Sequence, residues 1–83
     1  MVGKRFDMNI EKRVLILAIY KKKVEDSLND VLFSLEQTGL FTMKVGKKYL
    51  KELKKEGILV QGELSFKGLG LAKEIEGEFK IDS

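Results

Sequence analysis

Six lysines, Lys44, Lys47, Lys48, Lys51, Lys54 and Lys55, fall within twelve consecutive residues. Wound as an α-helix at about 100° per residue, they occupy one arc of roughly 120°, with Val45, Gly46, Tyr49, Leu50 and Leu53 on the opposite side. Clustered ammonium groups do the chemistry of phosphate binding: each can neutralise a backbone phosphate and displace a condensed counterion. From within the helix only Glu52, at the edge of the arc, can relieve their mutual repulsion, by pairing with Lys48 or Lys55 at spacings of four and three. Glu56 lies beyond the arc. A helix that is merely soluble usually intersperses both signs. The plain alternative is a solvated lysine face on a lysine-rich chain.

Other chemistries are poorly supplied. The chain has no cysteine and no histidine, which removes the usual zinc sites, thiol nucleophiles, histidine-dependent triads and the commonest general base. No nucleophile–base pair can be assembled, so no catalytic residue is assigned and an enzyme is not expected. Asp26 with Asp30, and Glu74 with Glu78, are carboxylate pairs at i, i+4, but without converging ligands such pairs read as solvated surface rather than a metal site. Gly68-Leu69-Gly70 lacks the preceding strand and the lysine of a phosphate loop. No cofactor and no small-molecule ligand are inferred.

The elements that must position the lysines follow from periodicity and punctuation. Eighty-three residues, 43% hydrophobic and 35% charged with net charge +3, suit one small globular domain over 1–83 that buries about 60–65% of its unfolded surface. Residues 1–8 read as a flexible N-terminal arm. Asp7 or Asn9 can cap a first helix from Ile10 to Lys23, with three lysines in its last turn where the helix dipole favours cations. A second helix, Val24 to Gln37, carries Val24, Leu28, Val31, Leu32 and Leu35 on one stripe, and Gly39 ends it in a left-handed conformation. Thr42 caps a third helix, Met43 to Glu56, closed in the same way by Gly57. Ile58 to Val60 reads as a strand, Gln61-Gly62 as a tight turn and Glu63 to Ser65 as a short return strand. Ser65 then caps a closing helix with Leu71, Ala72, Ile75 and Phe79 inward and a first turn softened by Gly68 and Gly70.

The order α-α-α-β-β-α over Ile10 to Phe79 resembles the winged helix-turn-helix superfamily, a mostly α member of the α+β class with a minimal wing hairpin. Two segments carry the resemblance. In VGKKYLKELKKEGIL, Leu50, Leu53, Gly57 and Ile58 take the places of a recognition helix running into a wing. LSFKGLGLAKEI is similar to the LT-x-x-G-x-x-x-A opening of the last helix in many such regulators, with Ser65 in place of threonine. The link from Gln37 to Thr42 is longer than the usual helix-turn-helix turn, and the wing tip carries no lysine or arginine.

The resemblance implies a DNA-binding protein, a transcription regulator whose partner is double-stranded DNA and whose recognition helix is 43–56. Lys44, Lys47 and Lys48 would then reach towards base edges, with Thr42 and Met43 placed to touch a thymine methyl. Lys51, Lys54 and Lys55 would meet phosphates. The arc holds no arginine, asparagine or glutamine, so direct base readout should be limited and salt dependence strong. Lys4 and Arg5 could add backbone contacts from the arm, or simply belong to a frayed terminus. Against this stands the purely acidic second segment, Glu25, Asp26, Asp30 and Glu36, because the helix before the recognition helix often crosses the DNA backbone. The alternatives are a winged-helix protein–protein interaction module that binds no DNA, and a small RNA-binding or accessory protein.

Val14 to Tyr20 is apolar right round the helix. It is too short to span a bilayer, and the lysines that follow it make a poor signal peptide, so a cytoplasmic protein with no membrane partner is expected. A helix apolar on all sides needs a second cover. That cover is either a homodimer contact through the first or last helix, or a central position wrapped by the other elements. The assigned faces of the third helix are directly testable: Leu53→Ala should cost about 2–5 kcal/mol and Lys51→Ala under about 0.5 kcal/mol. Denaturant titration of both variants checks this, and equally mild losses would mean that the faces are misassigned.

Overall fold

Helix boundaries in this chain are decided at the caps. The structure, a computed structural model, describes residues 10–79, with side-chain surroundings through residue 77. Its elements are α1 (Ile10–Lys21), α2 (Leu28–Gln37), α3 (Met43–Lys55), β1 (Leu59–Val60), β2 (Glu63–Leu64) and α4 (Phe66–Phe79). The chain is thus mostly helical, in the order α-α-α-β-β-α, with one antiparallel hairpin that pairs Leu59 with Leu64 and Val60 with Glu63.

Two helix boundaries differ from the periodicity by more than one residue, while the end of α3 and the outer ends of both strands differ by one. The first helix stops at Lys21 rather than Lys23, so only one of the three lysines sits in its last turn, where Lys21 Nζ pairs with Glu76 of α4 at 2.7 Å. The second helix starts at Leu28, not Val24. Ser27 accepts from the Asp30 N–H while Asp30 accepts from the Ser27 N–H, a reciprocal capping box. That box satisfies two orphan donors and overrides the apolar spacing. Val24 is consequently off the inner stripe, in a turn closed by Asp26 N–H to Lys23 O, and 95% exposed. Asp7, Asn9, Lys4, Arg5 and the proposed arm lie outside the described residues, as does the side chain of Phe79.

Gly39 and Gly57 have φ of +84° and +78°. After α2 the Leu40 N–H reaches Leu35 O and the Gly39 N–H reaches Glu36 O; after α3 the Ile58 N–H reaches Leu53 O and the Gly57 N–H reaches Lys54 O. Both ends are Schellman motifs, in which a left-handed residue lets two orphan carbonyls be satisfied. Positive φ at both Gln61 (+53°) and Gly62 (+82°) marks the two-residue hairpin turn that matches strand twist.

The core is a single cluster: Leu15, Ile16 and Ile19 of α1, Val31 and Leu32 of α2, Leu53 of α3, Ala72 and Ile75 of α4, with Phe41, Ile58 and Leu59 from the connections and β1. Helix α1 lies between α2 and α4 and also touches β2. Leu15, Ile16 and Ile19 of its apolar run are buried within one chain, and Leu17, Ala18 and Tyr20 pack partly buried against the same cluster. Ser65 ties the second half together: its hydroxyl donates to Gly57 O at 2.6 Å, and its Oγ accepts the Gly68 N–H at 3.0 Å as the α4 cap.

Gly68 has a packing reason that Gly70 lacks. A Cβ at residue 68 would meet the Ile58 carbonyl oxygen at 2.4 Å, whereas one at residue 70 meets nothing within 4 Å. Gly68→Ala should therefore destabilise by about 1–3 kcal/mol by overpacking, and Gly70→Ala should stabilise by about 0.5–1 kcal/mol through helix propensity. Thermal melts of the two variants should move in opposite directions; the same direction for both would refute the close approach of α4 to the Ile58 carbonyl.

Candidate nucleic-acid interface

Helix α3 is held by three contacts that leave its lysine side in solvent. Thr42 caps it, with Oγ1 accepting from the Val45 N–H at 3.2 Å. Glu36 of α2 adds a second carboxyl cap, accepting from the Met43 N–H at 3.3 Å. At Gly46 the helix lies so close to α2 that a Cβ would come within 2.7 Å of Leu32 Cδ2 and 2.9 Å of Phe41 Cε1. Phe41, in the long link that follows α2, fills the angle between the two helices and meets Tyr49 edge-on at a centroid distance of 5.8 Å. The link is longer than a usual turn because it delivers this aromatic ring to the core.

With Gly46 and Leu53 buried and Val45, Tyr49 and Leu50 half-buried, Lys44, Lys47, Lys48, Lys51, Lys54 and Lys55 are all exposed. None of the six has a carboxylate within salt-bridge distance among the described residues. The structure thus brings all six to one face. It does not bring Met43 with them, because that side chain is half-buried and packs against the core. Thr42 is exposed, but its oxygen is engaged as the cap.

The sequence left Glu52 to relieve the lysine arc, and the structure assigns it elsewhere. Lys12 of α1, nearly buried, places Nζ 2.9 Å from Glu52 Oε1 and 3.6 Å from Glu56 Oε2. The same ammonium sits 6.0 Å from the centre of the Tyr49 ring, and the Tyr49 hydroxyl donates to Glu11 at 2.6 Å. Both carboxylates of α3 are drawn to the α1 side. The hydrogen bond from Lys12 is the main reason that the Glu52 carboxyl is held below the ordinary range; the charges of Lys12, Lys48 and Lys55 add to it, against some desolvation.

Periodicity had no access to this clamp, since 40 and 44 residues of chain separate Lys12 from its partners. Nor could it show Lys67, at the start of α4, donating to Glu56 O at 3.1 Å and adding a cation beside the end of α3.

The acids of the second segment are partly explained by local structure. Asp30 serves the capping box of α2 and Glu36 the N-terminus of α3. A protein carboxylate therefore occupies the end of α3 where a phosphate would otherwise find free N–H groups. An anion approaching α3 would therefore meet the lysines rather than the helix end. Among the described residues, no group of three or more metal-ligating side chains converges, and no helix is long and apolar enough to cross a membrane. No protein-family model, curated protein or solved structure matches the chain.

The clamp has a pH signature. A carboxyl whose folded pKa is depressed contributes stability that is present above its ordinary value and lost as pH falls through the folded one. For Glu52 that loss belongs below pH 4.5. Lys12→Met should flatten the acid limb of stability in this range. Urea midpoints over a pH series should fall less steeply for the variant, and identical slopes would mean that Lys12 does not hold Glu52 in solution.

Proposed function

We propose that this chain is a winged-helix DNA-binding protein, a transcription regulator that docks α3 on duplex DNA. The observation that carries the reading is the lysine face: six exposed ammonium groups on one helix, none in a salt bridge among the described residues, with Lys12 as the ion-pair partner of Glu52 and Glu56. The element order supports it too, with α2 and α3 as the helix pair and β1–β2 as the wing. The tip of that wing, Gln61-Gly62, offers no cation, so the contact rests on α3.

Lysine recognises phosphate as a point charge and reads base edges less sharply than arginine. The affinity of such a face is dominated by counterion release. Lys51, Lys54 and Lys55 act on phosphates, and Lys44, Lys47 and Lys48 lie nearest the helix end that enters the groove, with Thr42 beside them.

Fluorescence anisotropy with labelled duplexes over a salt series tests this. Each phosphate contact contributes about 0.9 to the slope of log affinity against log salt. The triple variant Lys51→Ala/Lys54→Ala/Lys55→Ala should therefore flatten the slope by up to about 3 and weaken binding similarly on all sequences. Single replacements at Lys44, Lys47 or Lys48 should shift sequence preference instead. Unchanged slopes throughout would move the binding surface off α3. Undetectable binding at low salt would leave the protein-interaction module as the surviving reading.

A further inference from the structure

The core buries Leu15, Ile16 and Ile19 of α1 and leaves Tyr20, at the end of the apolar run, only half-buried. The apolar surface left open lies where α1 ends and α4 begins. Phe66, the first residue of α4, is 90% exposed. It projects from the side of α4 opposite the buried Gly68, Ala72 and Ile75, as the 100° spacing requires. Three residues further along α4, Leu69 joins Ile19, Tyr20 and Leu64 in walling a surface cavity of about 300 Å³. Val24, turned out of α2 by the capping box, stands at its edge. The charged residues lining it are one cation, Lys22, and one anion, Glu63.

We propose that this face is the self-association surface of the chain, with Phe66 of each copy seated in the other copy's cavity. A twofold contact must be self-complementary: what residue i meets in the partner, the partner's residue i must meet in return. This face meets that condition in shape and in charge. It carries an apolar knob, Phe66, and a hole with apolar walls from Ile19, Tyr20, Leu64 and Leu69 and charged residues in its lining. Its rim carries one charge of each sign, so a twofold axis sets Lys22 against Glu63 of the partner subunit in two equivalent pairs.

An exposed aromatic side chain also gains more from burial than any other group on this surface, since Phe, Tyr and Trp each bury 150–250 Å². The surface is separate from the lysine side of α3, so the inference stands or falls independently of DNA binding.

Sedimentation equilibrium of the full chain at micromolar concentration is the test. The wild type should sediment at about twice the 9.5 kDa chain mass. Phe66→Lys should shift it to monomer, with an unchanged helical circular-dichroism spectrum because Phe66 contributes nothing to the core. Lys22→Glu alone sets like charges against each other and should weaken association on the order of tenfold. The double swap Lys22→Glu/Glu63→Lys should recover most of that loss. A monomer at every concentration, a dimer indifferent to Phe66→Lys, or a double swap no better than Lys22→Glu would each overturn the proposal.

Discussion

Helices α2 and α3 meet at a glycine, and the rest of the surface depends on that contact. With no Cβ at residue 46, Leu32 and the Phe41 ring close directly on the α3 backbone. The close approach fixes which side of α3 is inward, and the inward side fixes the outward one. Leu53, seven residues on, is fully buried on the same side. Every lysine of the arc is then turned to solvent by geometry alone, since residues about 180° from a buried stripe have nowhere else to go.

Charge is sorted around this packed edge by ordinary local needs. Asp30 and Glu36 serve backbone N–H groups at two helix starts, where a carboxylate is favoured by both hydrogen bonding and the helix dipole. Glu52 and Glu56 turn to Lys12, whose position over Tyr49 is set by the packing of α1. Each of these carboxylates has a partner other than the six lysines, although Lys48 and Lys55 still act on Glu52 through space. The cationic face is thus a product of where the acids go as much as of where the lysines are. In the proposed function a polyphosphate surface would relieve its repulsion.

The second half of the chain is assembled around one hydroxyl. Ser65 joins the end of α3 to the start of α4 through Gly57 O and the Gly68 N–H, and the missing side chain at Gly68 lets α4 sit against the Ile58 carbonyl. Phe66 follows directly and is thrown outward, because the residues that pack inward are Gly68, Ala72 and Ile75. The same close packing that seats α4 therefore creates its exposed aromatic knob.

Much of this was written in local sequence. The helix ends at Gly39 and Gly57, the Thr42 and Ser65 caps, the Gln61-Gly62 turn and the two faces of α3 depend on residues within a few positions of one another, and short-range rules reach them. The start of α2 was also local, in Ser27 and Asp30, but the apolar spacing from Val24 competed with it and the capping box prevailed. What only the tertiary structure decided depends on residues far apart in the chain. Periodicity could not say that Lys12 would pair with Glu52, that Met43 would pack against the core, or that Leu15, Ile16 and Ile19 of α1 would be buried by their own chain. Nor could it say that residues of α1, β2 and α4 would wall one surface cavity. These outcomes are set by how helices cross and which surfaces they leave uncovered, and a one-dimensional pattern carries no information about distances between elements.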